Sequence, residues 1–489
     1  MKEPLSKKLT VDIVYLLSGS FTSLILKVIT LGYIARTLGV EQFGLYSAIF
    51  SFVYLFQFIC NFGLNKALLK LGSISSEKAQ VSFGNALFIK SILVVPTLAI
   101  VTLIGMASGY RSGELIILEF FSIGLILDGY ASVFSSIRRI LGSFKLISFL
   151  RVLRTVINLL IIFIALSINN SVLSLAFATM LLSCISFIIS LLNTVSLLKP
   201  KLQLSLLGDF FKDSLIFSFS DFFSNIYARI GVVLLSFFNN MHLVGIYSAA
   251  IRFTRIANLL PAQIKFALLP SLYRMFDEDS EKRQKRAFNT ILKYMVIFAT
   301  PLAISVYFFS ETIIHIIFGK KYDSSIPLVQ LFSIFIYLRF LETPFNLFYT
   351  AMHKHTQFVS IQGISSFINI VLNIILIPIY SVYGACAAIL LSEVSFALMV
   401  IFGGGKYNIW NANSVLTTLL KPTIAGVISL VIITTLLIKV NVFIQILILL
   451  LLYLFFLLIT KVFNKEDKEL LLKIFSIKKL QPIINEESE

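Results

Sequence analysis

The sequence predicts an all-α integral membrane protein of fourteen transmembrane helices, and three observations predict it. Hydrophobic residues make up 58% of the 489 and charged residues 13%, with a mean hydropathy of +0.93; an average soluble protein carries about 25% charge. Runs of roughly 18–25 apolar residues, enough to cross a ~30 Å hydrocarbon core at about 1.5 Å per residue, recur from end to end. Lys and Arg crowd into alternate loops, as the positive-inside rule requires.

The spans follow in order. The first, 12–34, comes after Lys2, Lys7 and Lys8 with no small-residue cleavage site, and is expected to be a retained signal anchor. The second, 43–65, follows the Arg36–Gln42 turn; the third and fourth, 83–107 and 115–135, flank Gly109 and Arg111. The fifth, 151–168, follows the basic group Arg138, Arg139 and Lys145, and the sixth, 172–195, follows Asn169-Asn170. The seventh, 215–238, and eighth, 246–269, follow Lys199-Pro200-Lys201 and Asn239-Asn240. A charged run over 277–286, expected to be a solvated linker, precedes the ninth at 288–309; the loop 310–327 precedes the tenth at 327–349. The last four fall at 358–379, 383–402, 421–438 and 442–462, with Gly403-Gly404-Gly405 as a flexible exit. The basic, Leu- and Ile-bearing tail from Asn464 to Leu480 is expected to lie along headgroups.

With the N-terminus inside, twenty-eight of the 41 Lys and Arg fall on the cytoplasmic side. Only Arg36, Arg111, Lys320, Lys321 and Lys439 fall opposite. An omitted or invented helix would invert every later loop, so the count is even and both termini are expected in the cytoplasm. The net charge of +17 therefore points to anionic lipid headgroups as partners, with no nucleic acid implied. Cys60, Cys184 and Cys386 lie in apolar runs without short pairing and read as packing residues.

Two internal matches organise the chain. Gly44-Leu45-Tyr46-Ser47-Ala48 recurs as Gly245-Ile246-Tyr247-Ser248-Ala249 at an offset of 201, and Leu181-Leu182-Ser183 recurs as Leu390-Leu391-Ser392 at 209. In order and six helices apart, they predict two parallel six-helix lobes, 1–198 and 199–405, around a central cleft. Two further helices at 406–463 and a tail at 464–489 complete the expected organisation.

The segment Tyr33-Ile34-Ala35-Arg36-Thr37-Leu38-Gly39-Val40-Glu41-Gln42-Phe43-Gly44-Leu45-Tyr46-Ser47 resembles the Wzx-type polysaccharide flippases, exporters of O-antigen and capsule units. They share a superfamily with multidrug-and-toxin extrusion transporters and the lipid II flippase. The resemblance implies a bacterial inner-membrane protein that turns an undecaprenyl-diphosphate-linked oligosaccharide from the inner to the outer leaflet. It also implies a polysaccharide polymerase and chain-length proteins as partners.

Beyond the charges counted to either side, eight basic residues fall within spans. A Lys or Arg at mid-bilayer costs about 2.5–3.5 kcal/mol on insertion scales, so each faces a protein interior or water. Lys90, Lys265 and Lys293 lie near span ends on the cytoplasmic side and are expected to snorkel. Lys27, Arg229, Arg252 and Arg255 sit roughly 9–14 Å below the opposite surface and form one predicted layer. Arg339 is a fifth candidate. Because guanidinium groups grip phosphate through two parallel hydrogen bonds, this layer is the expected diphosphate site.

Asp221, Asn225 and Arg229 fall four residues apart and line one polar stripe. Asp128, Asp221, Glu342 and Glu393 are candidates for coupling transport to a proton gradient, with sodium as the alternative; no metal or organic cofactor is expected. A purely structural reading pairs Arg229 with Asp221 and Arg339 with Glu342. His353 and His355 lack a third ligand and read as a turn.

Three other functions compete. A lipid II flippase would use the same cations, whereas a multidrug antiporter would favour an acidic cavity. A membrane glycosyltransferase or polymerase needs carboxylates at the outer face, and the loop 310–327 offers only Glu311 and Asp323. Transport is therefore expected, and catalysis is not.

Overall fold

The computed structural model describes residues 5–257, 259–278, 281–403, 409–410, 412–436, 442–460 and 462–463. Within its helices the side chains of residues 5–14, 16–17, 216, 255–257, 259–260, 263, 266–267, 270–271, 274, 277–278, 355, 436 and 442–443 lie outside the description. So do the expectations for Gly404, Gly405 and the tail.

The described residues form helices and no strand. The order is α1 (Leu5–Leu55), α2 (Gln57–Asn61), α3 (Leu64–Gly72), α4 (Ser76–Ala107), α5 (Ser112–Ile140), α6 (Phe144–Ile168), α7 (Val172–Val195) and α8 (Leu207–Phe238). There follow α9 (Met241–Ala257), α10 (Leu259–Glu278), α11 (Glu281–Phe308), α12 (Ser310–Ile317), α13 (Ile326–Ala351), α14 (His355–Gly403), α15 (Ala412–Leu436) and α16 (Val442–Ile459).

Fourteen crossings emerge once two long helices are divided at internal breaks. Gly39, at φ 75°, splits α1 into 5–38 and 40–55, and Ser381, at φ 52°, splits α14 into 355–380 and 382–403. α9 and α10 together make the eighth crossing. Caps fix several starts: the Ser75 hydroxyl accepts from the Lys78 amide at 3.2 Å, and Ser171 does the same for Ser174. At α5, the Glu114 carboxylate accepts from the Arg111 amide at 2.8 Å.

The structure corrects four expectations. The second span is not one helix to residue 65. Left-handed Phe62 (φ 42°) and Gly63 (φ 67°) end α2 and start α3, a break that uniform apolarity hides. The run 277–286 is mostly helical, because Glu281 starts α11 and pairs with Lys285 at 2.8 Å one turn on. Residues 310–327 form α12 and a 3-10 turn at Lys320–Ser325 where a plain loop was expected. α6 begins at Phe144, so Arg151 and Arg154 lie two to three turns inside a helix and not at its mouth.

By packing, the chain divides into two compact units. The larger comprises Met1–Phe253, Glu311–Phe332 and Thr356–Phe396. In it, residues 40–55 of α1 cross α9 through Gly44 and Gly245, and the Tyr322 hydroxyl donates to the Ala35 carbonyl at 3.0 Å. Arg36 caps the carboxyl end of α12, donating to the carbonyls of His315 (2.8 Å), Ile316 (2.6 Å) and Ile317 (3.2 Å). The smaller unit comprises Thr254–Ser310, Ser333–His355 and Ala397–Glu489. Its Trp410 stacks on Phe288 at 4.8 Å and meets Phe345 edge-on at 5.2 Å.

Candidate functional site

Four aromatic residues on one face of helix 40–55 build the platform of the site. Phe43, Tyr46, Phe50 and Tyr54 follow at helical spacing, with successive ring centroids 6.0, 5.6 and 4.2 Å apart. Arg229 of α8 lies over this ladder, its guanidinium carbon 4.9 Å from the Tyr54 ring and 5.6 Å from Phe50. Arg252 of α9 lies 5.8 Å from Phe43 and 6.0 Å from Tyr46, close enough to Arg229 for the two charges to oppose each other. Each such contact is worth about 0.5–2 kcal/mol, which holds the cations without neutralising them. Arg229 Nε and Nη1 are enclosed and have no hydrogen-bond partner. Neither arginine forms an ion pair among the described residues.

The predicted layer is only partly assembled. Lys27 sits beside Arg151 and Arg154 of α6, near enough for mutual repulsion. The side chain of Arg255 lies outside the described residues. Arg339 bonds Glu342 at 3.2 Å and stacks on Phe335, so the structural pairing holds there. It fails for Arg229: Asp221 instead binds Lys66 of α3 at 2.6 Å, and Asn225 donates to the Asp221 carbonyl at 2.9 Å. Asp128 is held by Arg154 at 2.6 Å.

Lys90 does not snorkel. It is fully buried, and its ammonium donates to the Cys60 carbonyl (2.9 Å) and Asn61 Oδ1 (3.0 Å) at the broken end of α2. A positive charge there complements the helix dipole. Lys265 donates to Asn346, and Lys293 lies 5.5 Å from the Tyr294 ring.

Beside the ladder, α3, α5, α6, α7 and α8 line an open cavity of about 480 Å³. Lys66, Arg138, Arg139, Arg151 and Arg154 line it, with Asp128 and Asp221 as its carboxylates. Tyr54 senses the charges of Asp128, Arg154 and Arg229 alike, which places the ladder next to this cavity. Arg138 is 4% exposed and donates to Thr194 Oγ1 (2.6 Å) and the Ser190 carbonyl (3.3 Å), while its Nε is left without a partner. Arg151 donates to the Ser20 hydroxyl.

A second polar cluster surrounds Glu393, 1% exposed on α14. The Tyr227 hydroxyl donates to its carboxylate, and Ser392 Oγ stands 3.3 Å from the same hydroxyl. Asn369 donates to Ser392 Oγ at 2.9 Å, and Asn373 donates to the Asn369 carbonyl at 2.7 Å. Among the described residues no group of three His, Cys, Asp or Glu could hold a metal ion.

Residues 33–327, more than half of the chain, match the family model described as polysaccharide biosynthesis protein. The chain belongs to that polysaccharide biosynthesis family. Over 186 residues it is 26% identical to an uncharacterized membrane protein of Methanocaldococcus jannaschii, and over 180 residues 26% identical to "Probable flippase AglR" of Haloferax volcanii. These alignments span 38% and 36% of this chain and 35% and 37% of those proteins. Among solved structures, lipid II flippase MurJ in an inward closed conformation superposes with a TM-score of 0.76 at 16% identity, covering 91% of this chain and 98% of that one. A MOP-superfamily transporter from Pyrococcus furiosus superposes at 0.61 with 15% identity, covering 81% and 95%. At these identities the likeness is one of fold, and it makes this family member a multi-pass membrane protein of MurJ-like architecture.

In this polysaccharide biosynthesis protein, sequence reasoning does not single out Lys66, Arg138, Arg139, Arg151 and Arg154 as candidate site residues, since all five fall within its count of cytoplasmic charges. The overlooked signal was the three-residue spacing of Arg151 and Arg154, which puts both on one helix face.

Proposed function

We propose that the protein flips a polyprenyl-diphosphate-linked oligosaccharide between membrane leaflets by alternating access. One observation carries this reading: Arg229 holds a half-buried guanidinium, its Nε and Nη1 enclosed, on an aromatic shelf beside Arg252, and no carboxylate among the described residues pairs with either. A half-buried cation without a counter-charge within a membrane span is costly, so such a pair is retained where an anionic ligand completes it. A diphosphate supplies oxygen acceptors in the geometry that guanidinium groups favour.

In this reading the glycan rides in the wet interior between the repeat-related lobes 1–198 and 199–405, and the polyprenyl tail stays in lipid. The carrier is undecaprenyl diphosphate and the product a surface polysaccharide, O-antigen or capsule, made at a bacterial inner membrane with both termini cytoplasmic. A polymerase and chain-length proteins act next. Glu393, within its Tyr227 and asparagine cluster, takes up the coupling proton or sodium ion; Asp128, Asp221 and Glu342, each already paired with a cation, are weaker candidates. The MurJ-like fold favours a lipid II headgroup as the runner-up cargo.

The test is binding and flipping of a fluorescent prenyl-diphosphate-linked glycan by purified protein in vesicles. Losing a charge-assisted contact worth about 1.5–3 kcal/mol weakens headgroup binding by about 10–150-fold in Arg229→Ala and in Arg252→Ala. Unchanged binding in both, with the variants folded, rejects the proposal.

A further inference from the structure

We infer that the cavity lined by α3 and α5–α8 receives an acidic saccharide, so that the headgroup carried is anionic in its sugars as well as in its diphosphate. The inference rests on the flippase reading above and deepens it.

Charge balance is the first argument. Five cations line the cavity against two carboxylates, and Arg154–Asp128 and Lys66–Asp221, each at 2.6 Å, use up both acids. Arg138, Arg139 and Arg151 remain without a carboxylate among the described residues. Arg229 and Arg252 already match the two charges of a diphosphate diester, so these three arginines are surplus to it.

Burial is the second. Arg138 is enclosed, yet its Nε has no acceptor although Nη1 is well bonded to Thr194. A buried donor left idle is unfavourable, and a ligand carboxylate reaching the guanidinium would satisfy it.

The third argument is the wall itself. Asn65 and Ser132, Ser135, Ser136, Ser186 and Ser190 offer hydroxyl and amide partners, and no aromatic residue lines the cavity. Neutral sugars are commonly held by stacking their C–H faces on rings; here that platform is missing, and charge with hydroxyl groups takes its place. A volume of about 480 Å³ falls in the usual range for small-ligand pockets, enough to take a short headgroup.

The experiment uses the full chain in phosphatidylcholine vesicles with two probes on the same prenyl diphosphate. One carries a glucuronic-acid disaccharide, and the other the methyl ester of that disaccharide, which exchanges the charge for one methyl group. The free acid is expected to bind at least tenfold more tightly, about 1.4 kcal/mol, and Arg151→Gln and Arg139→Gln are each expected to shrink that ratio. Should a variant fail to fold, the wild-type protein decides alone: the free acidic disaccharide raises its thermal midpoint and the methyl ester does not. Equal affinities for acid and ester overturn the acidic-sugar inference and leave the flippase reading standing, whereas binding of neither overturns both. A second arm adds phosphatidylglycerol. If that lipid abolishes the preference, the cavity is a lipid-headgroup site and the inference fails.

Discussion

Gly44 and Gly245 each press against the backbone of the other's helix. A Cβ on Gly44 would lie 1.8 Å from the Met241 carbonyl oxygen, and one on Gly245 would lie 2.1 Å from that of Val40. Val40 and Met241 stand at the same offset of 201 as the two glycines, so the contact is reciprocal. This is the crossing that a two-fold relation between repeats would generate, and only glycine permits it. Gly44→Val is expected to force the helices apart at a cost of about 1–3 kcal/mol. Ser248 is buried one turn beyond Gly245 on α9, so a Ser248→Cys thiol should react with a polar maleimide in the Gly44→Val background and stay protected without it. Equal protection in both would show that the crossing relaxes around the added methyl groups.

Arg36 satisfies three carbonyls at the end of α12 that have no helical partners of their own. Arg36→Ala should loosen Ser310–Ile317 and lower stability by about 1–3 kcal/mol. Hydrogen exchange over residues 310–325 reads this directly. Exchange as slow as in the parent would mean that packing alone holds the segment.

Asp221 competes with any incoming anion for Lys66. The pair is partly exposed, at 46% and 29% side-chain accessibility, so it is worth only about 0.2–1 kcal/mol. Asp221→Asn should therefore tighten binding of an anionic headgroup by up to about fivefold, and Lys66→Ala should weaken it. Titration of both variants with a prenyl-diphosphate glycan separates the outcomes; weaker binding in Asp221→Asn would make the acid part of the site.

Glu393→Gln keeps a hydrogen-bond acceptor for Tyr227 while removing the charge. Headgroup binding is expected to survive, and the dependence of flipping on an imposed proton or sodium gradient is expected to vanish. Gradient-driven flipping at the parental rate would take Glu393 out of the coupling step.

Much of the architecture was legible in the sequence because the solvent enforces it: apolar runs of fixed length and alternating basic loops give the crossings and their number. The glycine-bearing motif and its echo were legible too. The break over 56–63 was not, since Phe62 is a left-handed non-glycine residue inside an apolar run, and only tertiary contacts make that conformation tolerable. Lys90 was misjudged for the same reason, because hydropathy records how far a charge lies along a span and not what encloses it. Arg229 was found by the cost of a buried charge, but its aromatic partners come from a helix some 175 positions earlier in the chain, and Lys66 claims Asp221 from 155 positions away. Local spacing carries no information about such partners.

The ammonium of Lys90 also constrains biogenesis. Its acceptors belong to α2, which leaves the ribosome before α4 does, so α2 must hold an exposed, unsatisfied end until α4 arrives. The length and apolarity of α4 suffice to cross a membrane, despite a residue that costs about 2.5–3.5 kcal/mol at mid-bilayer. Docking of α4 on α2 then shelters a charge and a severed helix end in one step.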